Sequence, residues 1–297
     1  MEPSTRYSPN TLTEPLVTVL ITAYNTPAGF LQEAVRSALD QDVDGMEILV
    51  VDDGSQPSLD RYLTRFRDPR LVYRAISHMG PPHALRAGVA MARGRFVTIL
   101  DHDDRLTPGS LRTRLERIQA EHCGLVYGNI EWISVDGRIL GRRVFPAVKT
   151  VTRLIRAGLL SPVGPVKHSA ILMDREVVLD QGNYDPTLAS EYDLDLILKI
   201  ARAAGFCRVP DFVVQYRIHP GNYSASPDFR MRQIRCRWRL IDRFLSGRCR
   251  RTTAKAFAAV ILLLKALWLL LSYRRPRALL NRAGRIPAKK NDGTYTN

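Results

Sequence analysis

Runs of β-branched and aliphatic residues alternate with segments of helical periodicity along the first hundred positions. Residues 16–22 are a continuous apolar run typical of buried parallel strands, and residues 28–39 place their apolar positions on one side of a helix. This alternation predicts βαβ units and an α/β fold with a mostly parallel central sheet flanked by helices. The predicted strands are 16–22, 47–51, 71–74 and 96–100, and the predicted helices are 28–39, 59–66 and 82–93.

The pattern is less regular after residue 120. A Gly/Pro-rich segment over 158–168 predicts a loop that closes over a bound molecule, with His168 at its end. The acidic residues that open the segment 191–204 suit the N-terminus of a helix. The remaining predicted strands are 124–133, 138–144, 169–173 and 212–216, the first two joined by a turn at Asp136 and Gly137.

The C-terminal part of the chain carries the excess positive charge. Residues 230–297 contain 18 basic and 2 acidic residues, whereas the rest of the chain contains 26 basic and 27 acidic residues. A net charge of +15 spread evenly would favour a nucleic-acid-binding protein, but its confinement separates it from the chemistry of the body. We therefore divide the chain into a disordered lead-in over 1–14, a globular domain over 15–228 and a basic helical tail over 229–297.

Within this tail, residues 256–273 form an apolar stretch with Lys265 near its centre. As a helix it would be about 27 Å long, barely enough to cross a bilayer, and the lysine would cost a spanning helix about 3 kcal/mol. Because arginines flank both ends, we expect a helix lying on an anionic membrane surface, with a spanning helix and a helix packed on the body as alternatives. The expected location is therefore cytoplasmic, peripheral at the inner face of the cell membrane. The leucine-rich centre argues against a nucleic-acid partner.

The four cysteines, at positions 123, 207, 236 and 249, include no CxxC pair. This spacing predicts neither a zinc site nor a redox pair, and it is typical of a reducing, cytosolic compartment. The polar N-terminus lacks the apolar core of a secretory signal.

Two acidic clusters each follow a predicted strand. Asp101, Asp103 and Asp104 lie after one strand, and Asp52 and Asp53 after another, so both clusters should lie at the carboxyl edge of one sheet. Crowded carboxylates stay ionised most easily around a cation, and their oxygen atoms favour Mg²⁺ or Mn²⁺ with phosphate as a further ligand. Each cluster taken alone also fits a solvated or helix-capping turn.

The two clusters belong to an ordered series of motifs that resembles family 2 glycosyltransferases with a GT-A, Rossmann-like fold. The resemblance covers about residues 15–226. The matching segments are 22–25 (TAYN), 51–55 (VDDGS), 88–94, 100–104 (LDHDD), 182–185 (GNYD), 190–194 (SEYDL) and 216–224 (YRIHPGNYS).

The resemblance implies a nucleotide-sugar donor and a role for each matched position. Thr22, Tyr24 and Asp53 would hold the base and ribose, and Asp101 would face the ribose or a metal. Arg86 would assist with phosphate charge, although a surface arginine on a helix fits equally well. Because the signature occurs in inverting transferases, the implied reaction is transfer with inversion.

The same resemblance implies a divalent metal, Mn²⁺ or Mg²⁺. Asp103 would ligate the ion that bridges the diphosphate, and His219 would be a further metal or phosphate ligand. A structural role for His219 in its loop remains an alternative. From its position at the end of the segment 158–168, His168 is a candidate for the acceptor pocket.

The general base is the position where the sequence departs from the family. The family commonly has Glu-Asp before an aromatic-Asp-Leu sequence, whereas this chain has Ser190 and Glu191. Glu191 would therefore be the base, one methylene longer than usual, with Asp193 as the alternative. The predicted function is metal-dependent transfer from a UDP-sugar to a carbohydrate or lipid-linked acceptor in cell-surface polysaccharide or glycolipid synthesis. An inactive sugar-nucleotide- or lipid-binding module, and a nucleic-acid-binding protein, are the competing hypotheses.

Overall fold

The computed structural model describes residues 14–160, 164–222, 227–245, 252–257 and 260. These residues form an α/β domain in which one sheet is flanked by helices, as the periodicity predicts. The strands are β1 Val17–Ala23, β2 Met46–Asp52, β3 Leu71–Ala75, β4 Phe96–Asp101, β5 Arg105–Leu106, β6 Leu125–Ile133, β7 Ile139–Arg143, β8 Ile171–Asp174 and β9 Phe206–Arg217. The helices are α1 Ala28–Leu39, α2 Pro81–Met91, α3 Ser110–Glu121, α4 Val151–Leu160, α5 Arg175–Asp180, α6 Tyr192–Ala204 and α7 Pro227–Phe244.

The sheet has the strand order β3-β2-β1-β4-β8-β6-β9-β5, with β7 paired to β6. Its first four strands are mutually parallel, and β1 and β2 are almost entirely buried because helices cover both faces. Beyond β4 the sheet is mixed, since β8 runs antiparallel to both of its neighbours while β6 and β9 run parallel. The parallel half confirms the βαβ prediction, and the mixed half extends the same sheet.

The register of the parallel half brings the two acidic clusters to one edge. Ala23 at the end of β1 pairs with Asp52, and Thr22 pairs with Asp101 on the other side. Strands in a sheet lie about 4.8 Å apart, so the ends of β2 and β4 are about 10 Å apart across β1. Both clusters therefore lie at one rim of the sheet, as the sequence predicts.

A close helix–strand approach explains why the segment 88–94 is rich in small residues. A Cβ atom at Gly94 would lie 2.4 Å from the backbone nitrogen of Thr18, and one at Gly88 would lie 2.5 Å from a methyl carbon of Leu20. Only glycine permits this approach. The N-terminus of α2 is thereby fixed beside the rim where β1 and β2 end.

Three helices, α3, α4 and α5, are additional to the predicted elements. The predicted helix over 59–66 is instead a short 3-10 turn at Leu59–Tyr62, followed by further i→i+3 hydrogen bonds up to Phe66. The following Asp68-Pro69 pair is incompatible with continued helix, because the residue before proline is driven to extended conformations.

Helix α7 lies beyond the predicted domain boundary at 228 and packs against the body. Its residues Cys236, Leu240 and Ile241 are buried and belong to the main hydrophobic core. Most of the apolar stretch 256–273 lies outside the described residues, as do residues 1–13 of the lead-in 1–14. Within the described part of the chain, no helix combines the length and the apolar character needed to cross a bilayer.

The cysteine spacing is typical of a reducing compartment, but the structure joins two of the four cysteines. Cys123, just before β6, and Cys207, in β9, form a disulfide because the parallel pairing of these strands brings their first residues together. Cys236 is a free, buried thiol. Residues 84 positions apart carry no spacing signal in the sequence.

Candidate active site

The loop after β4 is joined to the loop after β9. Oδ2 of Asp103 lies 2.8 Å from Nε2 of His219 and accepts a hydrogen bond of 3.2 Å from the amide of Asn222. Asn222 also accepts the backbone N–H of His219, which fixes the imidazole beside the carboxylate. The two residues predicted to be metal ligands are therefore brought together.

Arg217, at the end of β9, supports the contact between Asp103 and His219. Its side chain is fully buried and donates to the backbone carbonyl of Asp103, to the carbonyls of Ser134 and Val135, and to the carboxylate of Glu33. These contacts join the loop 101–104 to α1 and to the β6–β7 hairpin. The guanidinium thus supports the site without occupying it.

Asp104 is the buried member of its cluster. Its two oxygens accept the backbone N–H of Arg217 and the hydroxyl of Ser169. Burial, together with the nearby carboxylates of Asp101 and Asp103, raises the pKa of Asp104 well above its ordinary value. Asp104 therefore serves the loop structurally, whereas Asp101 and Asp103 remain the two acids available to a ligand.

The predicted nucleotide residues lie together at the ends of β1 and β2. The exposed ring of Tyr24 stacks on His78, with ring centroids 3.9 Å apart and planes 15° apart. His78 in turn lies 2.9 Å from Oδ2 of Asp53. Asp53 is buried and accepts the backbone N–H groups of Met79 and Gly80. The Asp53 carboxylate therefore fixes the segment that leads into α2, and Tyr24 and His78 present aromatic faces beside it.

Asp52, the neighbour of Asp53, has a purely local role. It accepts hydrogen bonds from the backbone of Ser55 and Leu59 and from the hydroxyl of Tyr73. Burial would raise the pKa of Asp52, but these hydrogen bonds outweigh it and lower the pKa below its ordinary value. The capping interpretation of this cluster thus applies to Asp52.

A second group of side chains lies between the loop 101–104 and the start of α6. Nε2 of the buried His168 lies 2.7 Å from the hydroxyl of Tyr184, and the ammonium of Lys167 lies 4.1 Å from the ring centroid of Tyr216. Burial lowers the pKa of His168, while Asp193 and Asp101 act in the opposite sense. His168 is therefore neutral and buried.

Lys167 is the cation of this group. Burial acts to lower the pKa of Lys167, but Tyr216, Asp101, Asp104 and Asp193 together raise it above its ordinary value. Asp193 and Asp101 thus act electrostatically on the same lysine, although they come from α6 and β4. No motif in the sequence singles out Lys167.

The two candidate bases are in different surroundings. Glu191 is buried, and its carboxylate accepts hydrogen bonds from Gln233 and twice from Arg237 of α7. Burial raises the pKa of Glu191, with Arg237 acting against it. Asp193 is partly exposed, and its carboxylate accepts the N–H of Leu194 in its own helix.

Arg86 lies on the exposed side of α2. Its guanidinium donates to the carbonyls of Gly182 at 2.7 Å and Tyr184 at 2.9 Å, and its own carbonyl accepts the amide of Asn183. This arrangement ties the motif 182–185 to α2. The structure gives Arg86 this anchoring role and brings it to no other predicted ligand residue.

The donor set at Asp103 and His219 fits a divalent metal that takes its remaining ligands from phosphate and water. The carboxylate oxygen is a ligand that Mg²⁺ and Mn²⁺ prefer, and the imidazole nitrogen is a ligand for transition metals. Among the residues that the structure describes, no three Asp, Glu, His or Cys side chains are arranged to enclose a metal ion by themselves. The site therefore suits an ion that is completed by a bound diphosphate.

Sequence comparison adds the family to this geometry. The model of "Glycosyl transferase family 2" matches residues 18–178. The "Succinoglycan biosynthesis protein ExoO" of Rhizobium meliloti (strain 1021) is 37% identical over 127 residues, which are 42% of this chain and 36% of that protein. A glycosyltransferase of Rickettsia prowazekii (strain Madrid E) is 27% identical over 212 residues, 69% of this chain and 64% of that protein. The chain thus spans between about a third and two thirds of the length of these relatives.

Two solved structures share the fold. Residues 1–349 of S. aureus TarS in complex with UDP-GlcNAc superpose with a TM-score of 0.62 at 20% identity, covering 83% of this chain and 71% of that one. The mannosyltransferase PcManGT from Pyrobaculum calidifontis, in complex with GDP-Man and Mn²⁺, gives a TM-score of 0.57 at 20% identity, covering 96% and 81%. These likenesses confirm the predicted GT-A fold.

Proposed function

Because the chain belongs to glycosyl transferase family 2, and is therefore a glycosyltransferase, we propose that it transfers a sugar from a nucleoside diphosphate donor to an acceptor hydroxyl with inversion. The observation that carries this proposal is the pairing of Asp103 with His219 at one rim of the sheet, between the nucleotide residues and α6. That rim is where ligands bind in open α/β sheets.

The nucleotide would lie over the ends of β1 and β2. Tyr24 and His78 offer aromatic faces for a base, and Thr22 and Asp101 end adjacent paired strands beside them. The diphosphate would lie against Asp103 and His219. UDP-GlcNAc is bound by TarS and GDP-Man by PcManGT, so both uridine and guanosine diphosphate sugars are candidate donors, with UDP-sugars preferred.

The proposed ion at this site is Mn²⁺ or Mg²⁺, held by Asp103 and His219. When bound, it would neutralise charge on the departing diphosphate. Lys167, which lies between the loop 101–104 and α6, would add a fixed positive charge on the side of the transferred sugar. Arg217 would keep the loop 101–104 in place throughout the reaction.

Asp193 is the residue we propose as general base, in preference to Glu191. The hydrogen bonds from Gln233 and Arg237 engage both oxygens of Glu191, whereas Asp193 is partly exposed and acts electrostatically on His168 and Lys167. As the acceptor oxygen attacks the anomeric carbon, its proton passes to the Asp193 carboxylate. The bond from that carbon to the diphosphate oxygen breaks, and its electron pair leaves with the nucleoside diphosphate. Attack opposite the leaving group inverts the configuration.

The acceptor is proposed to be a carbohydrate or lipid-linked sugar in polysaccharide assembly. The name of the Rhizobium meliloti relative, a succinoglycan biosynthesis protein, supports this class. The neutral, buried His168 and Tyr184 would line the acceptor side of the pocket. A location at the inner face of the cell membrane suits such an acceptor and the basic residues of the tail.

The test is a donor panel followed by a transfer assay. Purified full-length protein is mixed with Mn²⁺ and with UDP-GlcNAc, UDP-glucose, UDP-galactose or GDP-mannose, and the thermal unfolding midpoint is measured. A true donor should raise the midpoint by mass action and should then be consumed with release of the nucleoside diphosphate. The anomeric configuration of the product, read by NMR, tests inversion.

Two results would contradict the proposal. If no donor changes the thermal unfolding midpoint, with or without metal, the protein does not have the proposed nucleotide site. Binding of a donor with neither hydrolysis nor transfer to any acceptor would instead indicate a sugar-nucleotide-binding module without turnover.

A further inference from the structure

Helix α7 contacts the start of α6 through a buried ion pair. Nη2 and Nε of Arg237 donate to Oε2 of Glu191 at 2.6 and 3.1 Å, and Nε2 of Gln233 donates to Oε1 at 2.5 Å. Arg237 is 3% exposed and Glu191 7% exposed. Gln233 and Arg237 are four positions apart and therefore project from one face of the helix. Both carboxylate oxygens of Glu191 are thus held from the same side.

The backbone at Glu191 is unusual for its residue type. Its φ is +61°, in the left-handed region, and its carbonyl accepts the first hydrogen bond of α6 from Asp195. A residue with a Cβ atom adopts this conformation at a cost, and such residues persist where surrounding contacts fix them. The hydrogen bonds from α7 are the contacts that fix Glu191. They therefore set the direction in which α6 begins.

A second contact holds the same helix one turn later. Arg243 of α7 donates to Asp195 at 2.6 Å and to Asp185 at 3.1 Å, and Leu240 beside it is buried. Asp193 lies between Glu191 and Asp195 on the first turn of α6. Because α7 holds the helix at Glu191 and at Asp195, the backbone from which the Asp193 side chain projects is fixed.

A buried ion pair is a poor choice for stability alone, because apolar residues of the same volume often serve at least as well. Its advantage is geometric, since two N–H groups of Arg237 on Oε2 and the amide of Gln233 on Oε1 together fix the carboxylate in position. Glu191 at this point also replaces the aspartate that the family commonly has. The extra methylene lets its carboxylate reach α7.

We infer that Gln233 and Arg237 are positioning residues for catalysis: by holding Glu191 in its left-handed turn, they aim the Asp193 carboxylate at the acceptor hydroxyl. This rests on the proposed function with Asp193 as base. The first helix of the basic extension is accordingly part of the catalytic apparatus. A base displaced by about 1 Å loses on the order of 100-fold in rate, so small changes at Arg237 have large effects on kcat.

The test compares Arg237→Met, Arg237→Lys and Gln233→Met with Arg235→Gln, which removes a charge from an exposed position of the same helix. Steady-state kinetics are measured in the full-length protein well below the unfolding midpoint, with nucleotide affinity measured by calorimetry. We expect Arg237→Met to lower kcat between about 10-fold and 100-fold with the donor KM and nucleotide Kd unchanged. Arg237→Lys should be intermediate, and Arg235→Gln should match the wild type.

Gln233→Met is the milder variant, because it leaves the ion pair intact, and it should lower kcat about threefold with the same unchanged donor KM. The double variant Glu191→Gln with Arg237→Met should be no slower than Arg237→Met alone, since both remove one interaction.

The results separate this inference from the proposed function. If the wild type transfers sugar and Arg237→Met keeps its kcat while only its unfolding midpoint falls, the ion pair is merely structural and the inference is overturned. A rise in kcat on freeing Glu191 would overturn it too, because Glu191 would then be the base. A wild type that transfers nothing from any donor would overturn the proposed function, and this inference with it.

Discussion

The carboxylate of Asp103 lies 2.8 Å from the imidazole of His219, a residue 116 positions further along the chain. The contact joins the end of β4 to the loop after β9, and Arg217 and Asn222 hold both partners in place. It brings the middle of the domain and its C-terminal part together at one rim of the sheet. The chemistry at the rim of the sheet therefore depends on residues that are remote in sequence.

The first prediction concerns this contact. Asp103→Asn keeps the shape of the side chain but removes its charge, so Mn²⁺-dependent binding of the donor should weaken and kcat should fall on the order of 100-fold or more. Calorimetric titration of UDP with and without Mn²⁺, and initial rates, measure both effects. Asp136→Asn, in the exposed β6–β7 turn, is the matched control. Equal Mn²⁺ dependence in Asp103→Asn and the wild type would exclude this residue as a ligand.

The second prediction assigns the base. Asp193→Asn is nearly isosteric and should lower kcat by about 10²-fold to 10⁴-fold while the donor still binds, because only proton removal is lost. Asp180→Asn, an exposed residue at the end of α5, should behave as the wild type. Steady-state kinetics and calorimetry provide the two readouts. Should Asp193→Asn retain its rate, the assignment would pass to Glu191.

The third prediction concerns the nucleotide. Tyr24→Ala removes an exposed ring beside His78, and the loss of stacking should weaken binding of UDP by about 1–3 kcal/mol. Tyr24→Phe keeps the ring and removes only the hydroxyl, so its affinity should stay near that of the wild type. Calorimetry at fixed Mn²⁺ compares the three proteins. Equal loss in both variants would show that the hydroxyl, and not the ring, makes the contact.

The fourth prediction is a pH dependence of stability at Asp52. The hydrogen bonds from Ser55, Leu59 and Tyr73 lower the pKa of Asp52 below 3.8 in the folded protein. In acid the unfolded chain therefore binds the proton more readily, so the stabilisation is present above pH 3.8 and is lost as the pH falls through the folded value. Asp52→Asn should lower the free energy of unfolding by about 1–3 kcal/mol at pH 7.

That difference should shrink as the pH falls below 3.8, because the unfolded wild-type chain then binds a proton that the folded carboxylate binds only at lower pH. Urea unfolding at pH 7 and at pH 3 measures it. If the free energies of unfolding of wild type and Asp52→Asn differ by the same amount at both pH values, the pKa of Asp52 in the folded protein is not lowered. Asp60→Asn, on the exposed surface nearby, controls for a general charge effect.

The parallel half of the sheet could be predicted because its signals are local. The buried strands are continuous apolar runs, and β2 and β4 end in acids that their register with β1 brings to one rim. The helix α3 also carries such a signal, since Leu111, Leu115 and Ile118 face the core at helical spacing. Its many charged residues obscured that stripe in the sequence.

The rest of the site depends on contacts between distant segments. Nothing in the sequence near Glu191 indicates that Gln233 and Arg237 engage its carboxylate, since those residues lie in a segment whose charge points to a membrane surface. The disulfide between Cys123 and Cys207 is equally non-local. Pairings of this kind follow from strand order, which periodicity does not fix. Lys167 belongs to no recognisable motif and emerges only from its neighbours in space.

The burial of Cys236, Leu240 and Ile241 in the main core has a practical consequence for protein engineering. A fragment designed to stop at residue 228, where the charge composition changes, would lose these side chains. The apolar core surface that they cover would then be exposed to water. Such a fragment should aggregate during expression, and its failure would wrongly suggest that the enzyme needs lipid to fold. A fragment that extends to residue 245 retains these side chains and keeps that core surface covered.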